Sequence, residues 1–272
     1  MSAPAPEPPM RLVALLLSLF AGPAFAEGPT IRSLQTGDQG RGWEAVGRIE
    51  LGERGFCTGS LIADDLVLTA AHCLFDKETG ERLDPGTFRF LAGWRNGRAE
   101  AYRSIVRAMA HPAYSYAPGE DLTNVGSDLA LLRLDQPIRL PQVVPFLPDW
   151  TPAMGAEVGI VSYAKDRSEA PSLQEVCGIM AQRTNLMVLT CAVEFGASGA
   201  PVFAMRDGQV RIVSVVSAKA QVEGQAVALA VPLMEPLAEL REALEAESPR
   251  ATPGVRVLSG SGGGAKFLKV AP

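Results

Sequence analysis

The sequence predicts an all-β fold with one helix near its carboxyl end. Short segments in which apolar and polar residues alternate recur along the chain, and clusters of glycine and proline separate them at short intervals. Short strands joined by frequent turns are typical of β-sandwiches and β-barrels. The 272 residues are 47% hydrophobic and 20% charged, and this composition is sufficient for a large globular core.

The predicted strands follow one another through most of the chain. The first clear strand lies at residues 46–51 (VGRIEL), and residues 61–69 are predicted to form a hairpin that turns at Ala-Asp-Asp, residues 63–65. Residues 136–150 are rich in proline and lack periodicity, so we interpret them as a connection between two halves of the domain. Residues 210–216 (VRIVSVV) alternate in part and predict a further strand.

The predicted helix rests on four leucines with helical spacing. These residues fall on one face, which we interpret as a packing face: Leu233, Leu237, Leu240 and Leu244. Beyond residue 247 the chain turns to proline, glycine and serine, so residues 248–272 are predicted to be a flexible tail.

The amino-terminal 26 residues have the features of a secretory signal. Arg11 precedes an apolar run at residues 12–20, and Ala24-Phe25-Ala26 fits a cleavage site before Glu27. The apolar run is shorter than the roughly 20 residues that span a bilayer, so we expect a removed signal and no stable membrane anchor afterwards. The predicted location is secreted or periplasmic.

Charge and cysteine content narrow the function classes. The net charge is −5 and no basic run stands out, so we do not expect nucleic acid as a partner. Export permits disulfides, and the four cysteines allow three pairings. With two histidines, His72 and His111, and no Cys-x-x-Cys pair, the sequence predicts neither a metal site nor any other cofactor.

Three motifs carry the chemistry of the chain. Residues 195–201 (FGASGAP) place a serine between glycines, where little side-chain bulk blocks a substrate carbonyl and backbone amides are free to face an oxyanion. A serine hydroxyl needs a positioned base, and residues 68–73 (LTAAHC) supply a histidine. Residues 127–134 (SDLALLRL) supply an acid. The order along the chain is therefore His, Asp, Ser.

These motifs resemble those of the chymotrypsin/trypsin-like serine protease family, in a bacterial-type secreted member. The histidine motif matches without a mismatch, and the aspartate motif matches closely. The serine motif departs at Ala197, where most animal members carry Asp, and at Ala200, where they carry Gly.

The resemblance covers most of the chain and implies its fold. It runs from about Trp43 to Leu244. It implies a protease domain at residues 43–247 that consists of two six-stranded antiparallel β-barrels with a C-terminal helix. Residues 27–42 would form an N-terminal segment before this domain.

The resemblance also implies the catalytic roles. Ser198 would be the nucleophile, His72 the base and Asp128 the acid that orients the base, with the amides of Gly196 and Ser198 as the oxyanion hole. Asp121 and Asp135 are alternatives to Asp128. His111 lies in a segment that resembles a structural surface segment of the family, and we interpret it as structural.

The disulfides are likewise implied by the resemblance. It favours Cys57–Cys73, which would hold the histidine loop to the preceding strand, and Cys177–Cys191, which would bracket a segment before the serine. Free buried thiols are the alternative.

The substrate specificity is predicted from the positions that form the substrate pocket in the family. Ala192, six residues before the serine, would form the base of the substrate pocket, and Ser217 and Lys219 would form its wall. Ala192 carries no charge, although Glu194 is near in sequence. We therefore expect cleavage after small apolar residues first, after Glu or Asp second, and poorly after Arg or Lys.

The predicted function is a serine endopeptidase whose partners are protein or peptide substrates. Some members of the family are activated by cleavage, when a new N-terminal ammonium pairs with an Asp just before the serine. Ala197 stands at that position and offers no carboxylate, so we expect the oxyanion hole to form without this cleavage. Two alternatives remain: a catalytically inactive binding protein on the same fold, and a serine esterase. The sequence does not assign an oligomeric state.

Overall fold

The computed structural model describes residues 30–117 and 122–247, and two short pairs at 256–257 and 268–269. The predicted signal peptide at 1–26, the alternative acid Asp121 and most of the predicted tail at 248–272 lie outside the described residues. Within them the chain forms two β-barrels, one α-helix and several short 3₁₀ turns. The predicted all-β architecture with a C-terminal helix is confirmed.

A short first strand, β1 (Ile31–Ser33), precedes the first barrel. Six antiparallel strands form a closed barrel in the order β2-β3-β4-β7-β6-β5. Their bounds are β2 (Val46–Leu51), β3 (Phe56–Ala63), β4 (Leu66–Thr69), β5 (Phe88–Ala92), β6 (Ala101–Ala110) and β7 (Ala130–Leu134). The predicted strand at 46–51 is thus present, and the predicted hairpin is that of β3 and β4.

Six strands also form the second barrel. Their bounds are β8 (Glu157–Ala164), β9 (Arg167–Arg183), β10 (Leu186–Leu189), β11 (Pro201–Arg206), β12 (Gln209–Val222) and β13 (Gln225–Pro232). The order is β9-β10-β13-β12-β11-β8, and pairing of β8 with β9 closes the ring. Strand β1 adds a seventh member because it pairs antiparallel with residues 172–174 of β9.

The barrels meet through an aromatic cluster. Trp43 precedes the first barrel, Phe146 lies in the connection between the barrels, and Phe203 lies on β11 of the second barrel. The ring centroids of Trp43 and Phe203 are 4.9 Å apart, and those of Phe146 and Phe203 are 4.7 Å apart. Tilted aromatic pairs at these separations add to the free energy gained by burial.

Helix α1 (Met234–Ala246) follows β13 directly. Leu237, Leu240 and Leu244 are buried, as their spacing predicted, because they form its apolar face. Beyond it, the two short strands β14 (Arg256–Val257) and β15 (Leu268–Lys269) pair antiparallel. None of the described helices is long and apolar enough to cross a membrane.

Both disulfides that the resemblance implied are present. Cys57 on β3 is joined to Cys73, one residue after His72, and Cys177 on β9 is joined to Cys191. The described cysteines include no free thiol. Each bridge closes a short loop that leads to one of the motifs of the site.

Candidate active site

His72 lies at the end of the first barrel, in a 3₁₀ turn (Ala71–Leu74) that follows β4. The neighbouring bridge from Cys73 to Cys57 ties this turn to β3. The His72 side chain is 21% exposed, which leaves its ring accessible from one side.

Asp128 holds the His72 ring in one orientation. Its carboxylate accepts a hydrogen bond from the His72 amide at 2.8 Å and faces the ring nitrogen Nδ1 at 2.7 Å. A carboxylate only accepts, so Nδ1 carries the proton and the opposite nitrogen, Nε2, keeps a lone pair. That lone pair is what a general base requires.

Ser217 donates a third hydrogen bond to the same carboxylate, from its hydroxyl to Asp128 Oδ2 at 2.5 Å. The sequence predicted Ser217 as part of the pocket wall, and its contact with an acid 89 positions earlier was not anticipated. Asp128 is 3% exposed. A buried carboxylate is stable only when donors surround it, and these three contacts supply them.

The other candidate acids do not reach His72 among the described residues. Asp135 follows β7 at the end opposite Asp128, roughly 20 Å away at the rise of an extended strand. Asp121 lies outside the described residues.

Ser198 lies in the loop between β10 and β11, and its backbone brings it to the first barrel. Its carbonyl accepts a hydrogen bond from the Thr58 amide at 2.9 Å. The next residue, Gly199, has φ +78°, and a Cβ there would overlap Thr69 Oγ1 and lie 2.9 Å from the Ala70 nitrogen. The serine loop therefore packs directly on the segment that leads to His72.

Ser198 is partly exposed, and its hydroxyl has no hydrogen-bond partner among the described residues. His72 and Asp128 thus contact each other through their side chains. Ser198 is placed near them by backbone contacts of its loop. Contacts between a nucleophile and its base are often long without substrate and tighten when it binds.

The two amides predicted to form the oxyanion hole make no hydrogen bond to a described residue. Neither the Gly196 nor the Ser198 amide has an acceptor among the described residues. Gly196 has φ +99°, and a Cβ there would overlap the Phe56 ring. Glycine is therefore required at this position by conformation and by packing.

Thr58 is a residue that the sequence analysis missed. It is fully buried on β3, and its hydroxyl donates to the Gly196 carbonyl at 2.8 Å and accepts from the Tyr163 amide at 3.0 Å. The only local signal is a polar residue directly after Cys57. The partners of its hydroxyl lie more than 100 positions away, so no local pattern could have identified them.

The residues predicted to set specificity have different environments. Ala192 is exposed and Ser217 is buried. The Lys219 ammonium is 3.1 Å from the Glu194 carboxylate and 4.4 Å from the centroid of the Phe195 ring. A second ammonium, that of Lys77, is 5.5 Å from the same centroid. The exposed Phe195 ring is therefore flanked by two cations.

The His111 side chain lies against helix α1, where its polar contacts among the described residues are Ala113 and Glu239. It is 4% exposed, its Nδ1 accepts from the Ala113 amide at 3.2 Å, and its Nε2 is 3.3 Å from the Glu239 carboxylate. Burial lowers the pKa of His111, and the negative charge of Glu239 partly opposes this. These contacts agree with a structural role.

Cys57, His72 and Cys73 place their ligand atoms within 4.8 Å of one another. This spacing resembles a metal site, but the two sulfur atoms are bonded to each other. Thiolates bind metals and disulfide sulfurs are not thiolates, so the disulfide explains the cluster.

Comparison with known proteins points to one family. Residues 57–211, more than half of the chain, match the family model described as a trypsin-like peptidase domain. The matched segment contains His72, Asp128 and Ser198.

Individual relatives match over shorter stretches. A modular serine protease of Drosophila melanogaster is 40% identical over 95 residues, which is 32% of this chain and 14% of the relative. A chymotrypsin-like elastase family member 1 of Homo sapiens is 35% identical over 88 residues, 31% of this chain and 30% of the relative. The matched stretches thus span well under two thirds of these relatives.

A solved structure of a Glu endopeptidase in complex with MPD has the same fold. It superposes with a TM-score of 0.62 at 18% identity, and the match covers 76% of this chain and 92% of that chain. At this identity the likeness bears on the fold alone.

The contact at Gly199 gives a prediction about stability. We expect Gly199→Ala to lower the free energy of unfolding by about 3 kcal/mol or more, because it combines a left-handed φ with overlap against a packed strand. Gly208→Ala is the matched control, since Gly208 has φ +73° but nothing within 4 Å of its added Cβ. The control should lose only about 1 kcal/mol. Urea unfolding measures both, and equal losses would contradict the packing described here.

Proposed function

The chain belongs to the trypsin-like peptidase family, and we propose on that basis that it is a secreted or periplasmic serine endopeptidase. The observation that carries the proposal is the hydrogen bonding of His72 to a buried Asp128, with the Ser198 loop packed against the same segment. The substrates would be proteins or peptides. An inactive binding protein would have no need for a buried acid that orients an accessible histidine.

The first half of the reaction forms an acyl-enzyme. Ser198 Oγ attacks the scissile carbonyl carbon while His72 Nε2 takes the hydroxyl proton. The negative charge of Asp128 stabilises the imidazolium that results. His72 then gives the proton to the leaving amine, and the peptide bond breaks.

The second half releases the acyl group. Water attacks the ester after giving a proton to His72, and the proton returns to Ser198 as the product acid leaves. In both halves the oxyanion would face the amides of Gly196 and Ser198. Removing one such donor costs about 2.7–4 kcal/mol in comparable sites.

The proposed location rests on the predicted signal at residues 1–26 and on the two disulfides. Disulfides persist in oxidising compartments, so their presence favours export.

The surroundings of Ala197 support activity without N-terminal cleavage. Ala197 is fully buried in an apolar cluster with residues such as Val158 and Val213. An ammonium placed there would be an unpaired buried charge. The N-terminal strand β1 instead lies on β9, where Arg32 pairs with Glu175 at 3.0 Å.

Ala192, Glu194 and Lys219 support the expected preference for the substrate residue that precedes the scissile bond. Ala192 offers no negative charge to bind Arg or Lys, and the pairing of Glu194 with Lys219 neutralises the nearest carboxylate. The Lys219 side chain would restrict the mouth to small residues, and its ammonium would bind an acidic residue only in exchange for Glu194. The residue preference is therefore small apolar first, acidic second and basic last.

The nucleophile is tested with a fluorophosphonate probe and a peptide substrate. We expect Ser198→Ala to abolish labelling and to lower turnover by about 10⁴–10⁶-fold while the fold remains intact. Ser168→Ala, near the start of β9, is the control and should behave as wild type. Wild-type turnover in folded Ser198→Ala protein would exclude the proposed nucleophile. Unlabelled wild-type protein would favour the binding protein, and cleavage of esters but not peptides would favour the esterase.

Activation is tested with protein that begins at Glu27. This protein should react with the probe while its mass, measured before and after labelling, shows no lost residues apart from the added label. Reaction that appears only after a defined cleavage near Arg32 or Arg41 would contradict this expectation.

Residue preference is tested with a peptide library whose products are identified by mass spectrometry. Cuts after small apolar residues should dominate, with Glu or Asp next. Lys219→Met should reduce the acidic class by about two- to fivefold, the range expected for an exposed ion pair. A profile dominated by Arg or Lys would reject the assignment of Ala192 and Lys219 but not that of Ser198.

A further inference from the structure

Thr58 connects both barrels to the serine loop. Its amide donates to the Ser198 carbonyl at 2.9 Å and its hydroxyl donates to the Gly196 carbonyl at 2.8 Å. The same hydroxyl accepts from the Tyr163 amide on β8 at 3.0 Å. Because Thr58 is fully buried, no water replaces these contacts if the hydroxyl is lost.

Two hydrogen bonds fix the peptide groups on either side of Gly196. The Lys165 amide donates to the Phe195 carbonyl at 2.7 Å, and Thr58 holds the carbonyl of Gly196 itself. In a planar trans peptide the N–H points opposite to the C=O. Holding the Phe195 carbonyl against the Lys165 amide therefore directs the Gly196 N–H away from Lys165, and holding the Gly196 carbonyl prevents the glycine from rotating.

A flexible residue at this position needs such anchors. Gly196 has no side chain, so its backbone loses more conformational freedom than that of any other residue when it is ordered. The following residue, Ala197, has no polar group that could bind a charged anchor. Among the described residues, the hydroxyl of Thr58 is the one side-chain donor to this carbonyl.

We infer that Thr58 is a positioning residue that holds the Gly196 amide in the orientation required to bind the oxyanion, in place of an ammonium–carboxylate switch. The inference rests on the proposed function, because an oxyanion forms only if Ser198 attacks a carbonyl. Thr58 itself touches no reacting atom. It acts through the Gly196 peptide groups.

The expected signature is a loss in turnover without a loss in substrate binding. The oxyanion exists in the transition state and not in the bound substrate, so a misdirected amide lowers kcat and leaves KM unchanged. A displacement of about 1 Å costs up to about 100-fold. Thr58→Val keeps the shape and removes the hydroxyl, so we expect a 10- to 100-fold lower kcat.

Two variants distinguish this role from a merely structural one. Thr58→Ser keeps the hydroxyl and should restore most of the lost turnover. Ser214→Ala removes another fully buried hydroxyl, which donates to the Val231 carbonyl at 2.6 Å in the second barrel. That control should lose stability but keep kcat.

A peptide aldehyde provides a second readout. Ser198 Oγ adds to the aldehyde carbon, its proton passes to His72, and the resulting oxygen faces the Gly196 amide. The inhibition constant of the aldehyde should rise in Thr58→Val by about the same factor as kcat falls. KM for the matched peptide should not move.

A second site keeps the inference testable if Thr58→Val does not fold. Lys165 is exposed, so Lys165→Pro removes the amide that holds the Phe195 carbonyl with little effect on the core. Lys165→Ala keeps the amide and is its control. The proline variant should show the same loss of kcat and aldehyde affinity, and the alanine variant should not.

The outcomes separate this inference from the proposed function. Wild-type protein that neither labels with the probe nor cleaves peptides would overturn the proposed function, and the inference with it. Active wild-type protein with unchanged kcat in folded Thr58→Val, or in Lys165→Pro if Thr58→Val does not fold, would overturn the inference alone. A proportional rise in KM would also overturn it, because that result indicates lost substrate binding.

Discussion

The close contact at Gly199 is the constraint on which the geometry of the site depends. The serine loop belongs to the second barrel, and the segment that carries His72 belongs to the first. At Gly199 the two approach until no Cβ fits between them. Neighbouring hydrogen bonds from Thr58 to the loop set the direction of this contact. The relative position of the barrels is thus determined at the place where the reaction would occur.

The buried carboxylate of Asp128 is a second constraint, and it works through desolvation. An ionised carboxyl group removed from water is stable only if donors replace the water. The His72 amide, the His72 ring and the Ser217 hydroxyl are those donors, and they come from both barrels. The hydrogen bonds that compensate for the burial of Asp128 therefore also keep His72 oriented. Stability and chemistry share the same hydrogen bonds here.

The sequence was most informative where the signal is local. The strand at 46–51, the hairpin of β3 and β4 and the leucine face of α1 follow from side-chain periodicity. The motifs around His72, Asp128 and Ser198 follow from residue type and order.

Contacts between residues distant in sequence were predicted only where the resemblance implied them, as for His72 and Asp128. Ser217 reaches Asp128 across 89 positions and Thr58 reaches Gly196 across 138. Strand β1 has only three residues, too few for a pattern, and its position is supplied by β9. The sequence does not show that Lys219 and Glu194 pair, although in the structure each neutralises the other.

Strand β1 also has a consequence for solubility. Residues 172–174 of β9 pair with β8 on one side and with β1 on the other. Without β1, that second side would present unpaired N–H and C=O groups along an open sheet edge. Open edges recruit strands from other molecules and lead to aggregation. Strand β1 therefore protects this edge of the sheet from self-association. A truncation that removes β1 would promote aggregation even if it left the reaction intact.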